Sequence, residues 1–212
     1  YSEDIIKNYN AKGIKPFIVS EVKCSQVLYD KINENGGIAV MCKTGHGYIK
    51  SKMKEVGAVL AGEMSGHTLF KDRYYGFDDA IYAGCRIIEI IANKKRENPN
   101  FKISDMLEPF KSIYSSPEVR LACPNNLKKE TLTEFENLID KNPSFFGSKI
   151  KDIITIDGMR IVFEKGFALI RQSNTEPVFT LRFEAESPEI AKQHEDIMVN
   201  KLLEIIQQKA RQ

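Results

Sequence analysis

The stretch from Ile14 to Ala61 alternates two incompatible hydrophobic periods, and that alternation limits the fold more than any other feature of the chain. Ile14 to Ser20 is a short, largely apolar run broken by Pro16. Ser25 then opens a helical pattern at Val27, Leu28 and Ile32 that stops at Asn35-Gly36-Gly37. Ile38 to Cys42 is a continuous apolar run of buried-strand length. Tyr48, Ile49, Met53 and Val56 return at helical spacing until Gly57, and Ala58 to Ala61 is apolar again. Strand, helix, strand, helix, strand with short turns is the pattern of right-handed parallel βαβ units. Ligands of such open sheets sit at the carboxyl ends of the strands. The loops holding Lys23, Lys43 to Gly47 and Gly62 to His67 are therefore expected along one edge.

Further on, Asp78 and Asp79 precede a helical pattern through Ile81, Ile87, Ile88 and Ile91. Carboxylates at a helix start cap free amides and favour the macrodipole, a reading preferred here to a metal pair. A short helix, Ile103 to Phe110, follows, and Ser115-Ser116-Pro117 then interrupts the pattern as the expected domain junction and hinge. Beyond it come a strand at Val119 to Ala122 and an amphipathic helix from Leu127 to Ile139. Strands at Ile153 to Ile156, Arg160 to Phe163, Phe167 to Ile170 and Val178 to Phe183 follow, with Asp157-Gly158 and Lys165-Gly166 as hairpin turns. Ser187-Pro188 starts a last helix. The expected architecture is two domains. Residues 1–115 form an α/β domain of βαβ units in a mixed sheet with flanking helices, and residues 116–212 form a smaller α+β domain with an antiparallel sheet.

Composition excludes several classes of function. With 42% hydrophobic and 28% charged residues the chain has ordinary globular make-up, and a formal charge of +2 supplies no bulk attraction to nucleic acid or to an anionic membrane. Any anion site has to be local. The nearest pair of the four cysteines, Cys24 and Cys42, is 18 residues apart, so no zinc-ribbon spacing exists and reduced thiols of a cytoplasmic protein are expected. No apolar run of about 18 residues and no signal-peptide pattern occurs. The chain opens on Tyr1 and runs straight into Glu3-Asp4-Ile5-Ile6, which reads as a cut through a longer polypeptide.

Two polar loops hold the chemistry. Gly62-Glu63-Met64-Ser65-Gly66-His67 packs a carboxylate, a hydroxyl and an imidazole between glycines directly after a strand, a set suited to a polyhydroxyl ligand or to an ordinary strand-end turn. Arg171-Gln172-Ser173-Asn174-Thr175-Glu176-Pro177 lies between two strands. Its guanidinium fork, hydroxyls and turn amides make either a phosphate cradle or a turn stiffened by Pro177.

Both loops, GEMSGH and RQSNTEP, resemble signature loops of the α-D-phosphohexomutase superfamily, in its phosphomannomutase/phosphoglucomutase branch. EVKCS at Glu21 to Ser25, KTGHGYIKSKMKE at Lys43 to Glu55, YYGFDDAIYA at Tyr74 to Ala83 and TIDGMR at Thr155 to Arg160 resemble the same family in the same order. Methionine in GEMSGH is the feature that favours this branch. The resemblance covers the third and fourth of the family's four domains. It implies that Glu63 and Ser65 bind hydroxyls of a hexose while His67 completes their loop. Arg171, Ser173, Asn174 and Thr175 would hold the phosphate that is not being transferred, with Lys23 and His46 as further substrate-side residues and His194 left structural. The implied reaction converts a hexose 6-phosphate to its 1-phosphate through a bisphosphorylated sugar, with mannose and glucose phosphates as ligands. The serine that carries the phosphoryl group and the aspartate-rich magnesium loop belong to the two domains not seen here. No catalytic residue and no metal ligand is thus expected in this chain, and Asp78-Asp79 and Asp157-Gly158 are not substitutes. Magnesium, a hexose 1,6-bisphosphate activator and the missing amino-terminal domains are implied for the longer enzyme. A stand-alone sugar-phosphate binding module and a scaffold pair of domains are the competing readings.

Overall fold

The computed structural model describes residues 1–173 and 175–211, and these divide into two compact units, Tyr1–Lys111 and Ser112–Gln212. The first unit begins with α1 (Ser2–Asn10), β1 (Phe17–Glu21), α2 (Gln26–Glu34) and β2 (Ile38–Cys42). It continues through α3 (His46–Val56), β3 (Leu60–Gly62), β4 (Thr68–Phe70) and α4 (Ala80–Glu97) to a 3-10 helix at Ile103–Phe110. Its sheet runs β2-β1-β3-β4. β1 is parallel to both neighbours, with Ser20 opposite Met41 and Gly62, whereas β4 turns back antiparallel to β3. Side chains alternate across the central strand: Val19 enters a core with Ile49 and Met53 of α3, and Ile18 enters one with Ile5, Ile6, Ile32 and Phe70. Both faces are covered by helices, which is why its strands read as unbroken apolar runs. α1 and β4 were not visible in the periodicity.

The second unit contains β5 (Tyr114–Ser115), β6 (Val119–Ala122), α5 (Asn125–Lys141) and β7 (Ile150–Ile154). β8 (Met159–Phe163), β9 (Phe167–Gln172), β10 (Val178–Ala185) and α6 (Pro188–Ala210) complete it. Its sheet is ordered β5-β10-β9-β8-β7, with β6 also paired to β10, and every pairing is antiparallel. Phe135 and Ile139 of α5 and Met198, Leu202 and Ile205 of α6 share one core with Phe179, Leu181 and Phe183 of β10. Ser187 caps α6 by accepting from the Ile190 amide at 3.3 Å.

Three expectations need correction. Ser115-Ser116-Pro117, read as the hinge, is bound into the second sheet: the Ser116 amide donates to Phe183 O at 2.8 Å and Ser115 Oγ donates to Glu184 at 2.8 Å. The strand expected at Ile153 to Ile156 lies earlier, at Ile150–Ile154, so four residues join it to β8 rather than a tight Asp157-Gly158 turn. Asp79 does cap α4, accepting from Tyr82 N at 2.9 Å, but Asp78 has a different partner, described below.

His194 is structural. It lies on α6 against Phe163, with ring centroids 4.4 Å apart, and shares a 2.9 Å hydrogen bond with Ser148 Oγ. Burial pushes its imidazole below the ordinary value of about 6.5. A depressed histidine stabilises the fold above that value, and the contribution is lost as pH falls, because only the unfolded chain accepts the proton. Lowering pH from about 7.5 to about 5.5 is expected to weaken hydrogen-exchange protection of the β8 to β10 amides, and His194→Gln is expected to flatten that dependence.

Candidate functional site

Glu21 is the last residue of the central strand of the first sheet and is 0% exposed. A carboxyl group at that point reaches the loop that follows each of three adjacent strands. Its Oε2 accepts from the Lys23 amide at 2.7 Å in the loop after β1 and from Thr44 Oγ1 at 3.0 Å in the loop after β2. Its Oε1 accepts from the Met64 amide at 3.1 Å in the loop after β3 and faces Cys24 Sγ at 3.7 Å. Burial pushes the Cys24 thiol up to about 11, so it stays protonated and able to donate. The expectation that the three loops share one edge is realised through this single side chain.

The loop from Gly62 to His67 is a reversal between β3 and β4. Glu63 N donates to His67 O at 2.9 Å and Gly66 N to Glu63 O at 3.0 Å, with Gly66 at φ 94°, a conformation that favours glycine. Ser20 Oγ donates to Gly62 O at 3.0 Å and fixes the strand end. With its backbone held by these turn bonds and by Glu21, the loop presents the Glu63 carboxyl and the Ser65 hydroxyl with no side-chain hydrogen-bond partner among the described residues. His67 Nδ1 lies 2.6 Å from Asp78 Oδ2, and Asp78 Oδ1 also accepts from Thr68 N at 3.3 Å. The Asp78 carboxylate engages Nδ1 and leaves Nε2 without a protein hydrogen bond among the described residues, and His67 lines a cavity of about 370 Å³ with Ser65, Asp78 and Asp79. His46, the first residue of α3, is exposed, and Lys23 is half-buried in the loop after β1.

In the second unit Arg171 lies near the end of β9 and is 9% exposed. Its Nε donates to Asp157 Oδ2 at 2.7 Å, which leaves the two terminal nitrogens as a fork. Asp157 reaches it because Gly158, at φ 79°, lets the β7–β8 connection lie on the backbone of β9, where a Cβ would collide with Ile170 O. Ser173 N donates to Val178 O at 3.1 Å and closes the loop, while Ser173 Oγ accepts from the Thr175 and Glu176 amides at 3.4 and 3.2 Å. Thr175 is exposed, and Asn174 lies outside the described residues.

The comparisons with known proteins agree with this division. The family model described as phosphoglucomutase/phosphomannomutase, alpha/beta/alpha domain III, matches residues 2–110, and that of the C-terminal domain matches residues 118–201. The chain belongs to the phosphoglucomutase/phosphomannomutase family. A phosphoglucomutase of Neisseria gonorrhoeae is 42% identical over 188 residues, which are 88% of this chain and 37% of that protein. A phosphomannomutase/phosphoglucomutase of Pseudomonas aeruginosa is 39% identical over 185 residues, 87% of this chain and 37% of the relative. The crystal structure of a Burkholderia thailandensis protein of the same family superposes with a TM-score of 0.77 at 36% identity, covering 96% of this chain and 40% of that one. The chain therefore spans 37% of the length of the curated relatives named here, and within this isomerase family it corresponds to the third and C-terminal domains.

Against that family frame, four residues of the two loops' support were not assigned from sequence. Glu21 lies in the EVKCS segment with no role legible from sequence, Asp78 reads as a cap and Asp157 as a turn residue. Lys128 went unnoticed although it continues the buried face of α5 at helical spacing with Thr131, Leu132 and Phe135. It is 5% exposed, and its Nζ donates to Ser173 O at 2.9 Å and to Glu176 O, gripping the loop at both ends. Lys128→Met keeps the stem and removes both charge-assisted bonds, each worth about 1.5–3 kcal/mol. The expected outcome is a folded second unit whose Thr175 and Glu176 amides exchange at least tenfold faster by NMR, about 1.4 kcal/mol of lost local protection.

Proposed function

We propose that the chain is the substrate-recognition half of a phosphohexomutase and binds hexose phosphates through one loop in each unit. The observation that carries this reading is the pairing of free and fixed groups in the loop from Gly62 to His67. The Glu63 and Gly66 amides close the turn, the Met64 amide is held by Glu21 and His67 is oriented by Asp78, while the Glu63 carboxyl and the Ser65 hydroxyl have no side-chain hydrogen-bond partner among the described residues. An acceptor-only carboxylate beside a donor-acceptor hydroxyl and an imidazole nitrogen matches adjacent hydroxyls of a sugar ring. Arg171, with Nε anchored on Asp157, offers its remaining fork to a phosphate, and the Ser173 hydroxyl, whose oxygen accepts from two amides, keeps its hydrogen to donate. Lys128 adds positive charge beneath the same loop.

In the longer enzyme this recognition holds the sugar by its hydroxyls and its non-reacting phosphate, converting a difficult encounter into an oriented one. Phosphoryl transfer between hexose 6-phosphate and hexose 1-phosphate is assigned to groups on the other domains, and the chain by itself is proposed to lack turnover. Among the described residues no three His, Cys, Asp or Glu side chains group as metal ligands. The magnesium implied by the resemblance finds no ligand set on these residues. No helix of the described residues is long and apolar enough to cross a membrane, and cytoplasmic location is part of the proposal.

Titration of the ¹⁵N-labelled chain with glucose 1-phosphate tests the assignment. Shifts are expected at residues 62–67 and 171–177, inorganic phosphate is expected to move only the second group, and Arg171→Ala is expected to weaken binding about tenfold or more without loss of fold. A response elsewhere, or none with the folded protein at millimolar ligand, would overturn it.

A further inference from the structure

The buried carboxyl group of Glu21 is the point where three loops meet, and it holds backbone amides and Thr44 rather than the side chains of Glu63, Ser65 or His67. We infer that Glu21 is a positioning residue for hexose-phosphate binding: it sets the mutual placement of the Lys23, Thr44 and Glu63–His67 loops, so that loosening one loosens the others. This inference rests on the reading of the Gly62–His67 loop as the sugar loop.

The argument is one of hydrogen-bond directions. Two of the donors to Glu21 are backbone amides, and an amide cannot reverse its role. They fall on different oxygens, Lys23 N on Oε2 and Met64 N on Oε1. The other two donors, the Thr44 hydroxyl and the Cys24 thiol, can rotate. A carboxylate satisfies all four, since both of its oxygens only accept. A glutamine of the same shape cannot, because whichever way its amide is placed, its NH₂ faces either Lys23 N–H or Met64 N–H. That arrangement leaves one loop with a buried, unpaired amide, which is costly.

The strand order explains why no other position could do this. β1 lies between β2 and β3, Glu21 pairs with Cys42 at the end of β2, and Ser20 pairs with Gly62 at the end of β3. The three strands stop at one level, and only the terminal residue of the middle one is within reach of both neighbours' loops. Tyr29 holds the same residue from behind, its hydroxyl donating to Glu21 O at 2.8 Å. Met64 lies immediately after Glu63 in the chain, so the amide that Glu21 holds fixes the backbone from which the sugar-binding carboxylate projects.

The test uses the ¹⁵N-labelled 212-residue chain, wild type and Glu21→Gln, with two readouts, amide hydrogen exchange and titration with glucose 1-phosphate. The inference expects Glu21→Gln to expose the Lys23 or Met64 amide to exchange at least tenfold faster. It also expects glucose 1-phosphate to bind about tenfold more weakly while β8 to β10 amides stay unchanged. Wild-type affinity in Glu21→Gln, or unchanged protection at both amides, overturns it. If Glu21→Gln does not fold, Thr44→Val takes its place. It keeps the carboxylate and removes one donor, and is expected to bind about threefold more weakly with altered shifts at Met64, across the sheet from the change; an unaltered Met64 amide overturns the inference. If the wild-type chain shows no glucose 1-phosphate response, the sugar-site reading fails, and Glu21 fails as a residue positioning hexose phosphate with it. The exchange data then report only whether the loops are coupled.

Discussion

The first unit depends on one buried acceptor. A parallel sheet delivers the ends of its strands to a common edge, but it leaves the loops that follow without a common scaffold, because each belongs to a separate βαβ crossover. Glu21 supplies that scaffold from the middle strand, with hydrogen bonds of 2.7, 3.0 and 3.1 Å to three different loops. A charged group at 0% exposure is tolerated there because both of its oxygens accept hydrogen bonds from the surrounding loops. Polar satisfaction of the fold and placement of the candidate site are accordingly the same set of bonds.

The second unit solves a similar problem with the opposite charge. The loop between β9 and β10 turns two of its carbonyls, those of Ser173 and Glu176, to Lys128 on the helix beneath. Asp157 does for Arg171 what Asp78 does for His67. Each carboxylate engages one nitrogen of a side chain proposed to meet the ligand and fixes its placement. In both units the residues proposed to meet the ligand are held by neighbours from other elements, so a loop sequence alone describes only the exposed half of each device. Membership of the phosphoglucomutase/phosphomannomutase family gives these devices a context, since the chain covers the third and C-terminal domains and 37% of the relatives' length.

Much of the fold was legible because it rests on local rules. The runs at Ile38–Cys42 and Val178 to Phe183 and the cap at Ser187-Pro188 carry their signals within a few residues. α1 and β4 were missed for different reasons. α1 buries only Ile5 and Ile6, too few apolar positions to set a period, and β4 is three residues long and exists only because β3 offers it a partner. The Ser115–Ser116 segment reads as a linker because a Ser-Ser-Pro stretch carries no strand signal until β10, with β9 on its other side, pairs with it.

Taken alone, the sequence determined the βαβ order, the change to an antiparallel second unit, and the two loops with their ligand-like groups, since periodicity, turn residues and motif spacing are properties of neighbouring positions. Only the tertiary structure decided which side chains hold those loops. Glu21 and Met64 are 43 residues apart, and Lys128 and Ser173 are 45 apart. An isolated glutamate at a strand end and an isolated lysine on a helix carry no local sign of such partners. Their roles come from being buried beside unsatisfied backbone groups, and burial is fixed only when the sheet and its helices close around them.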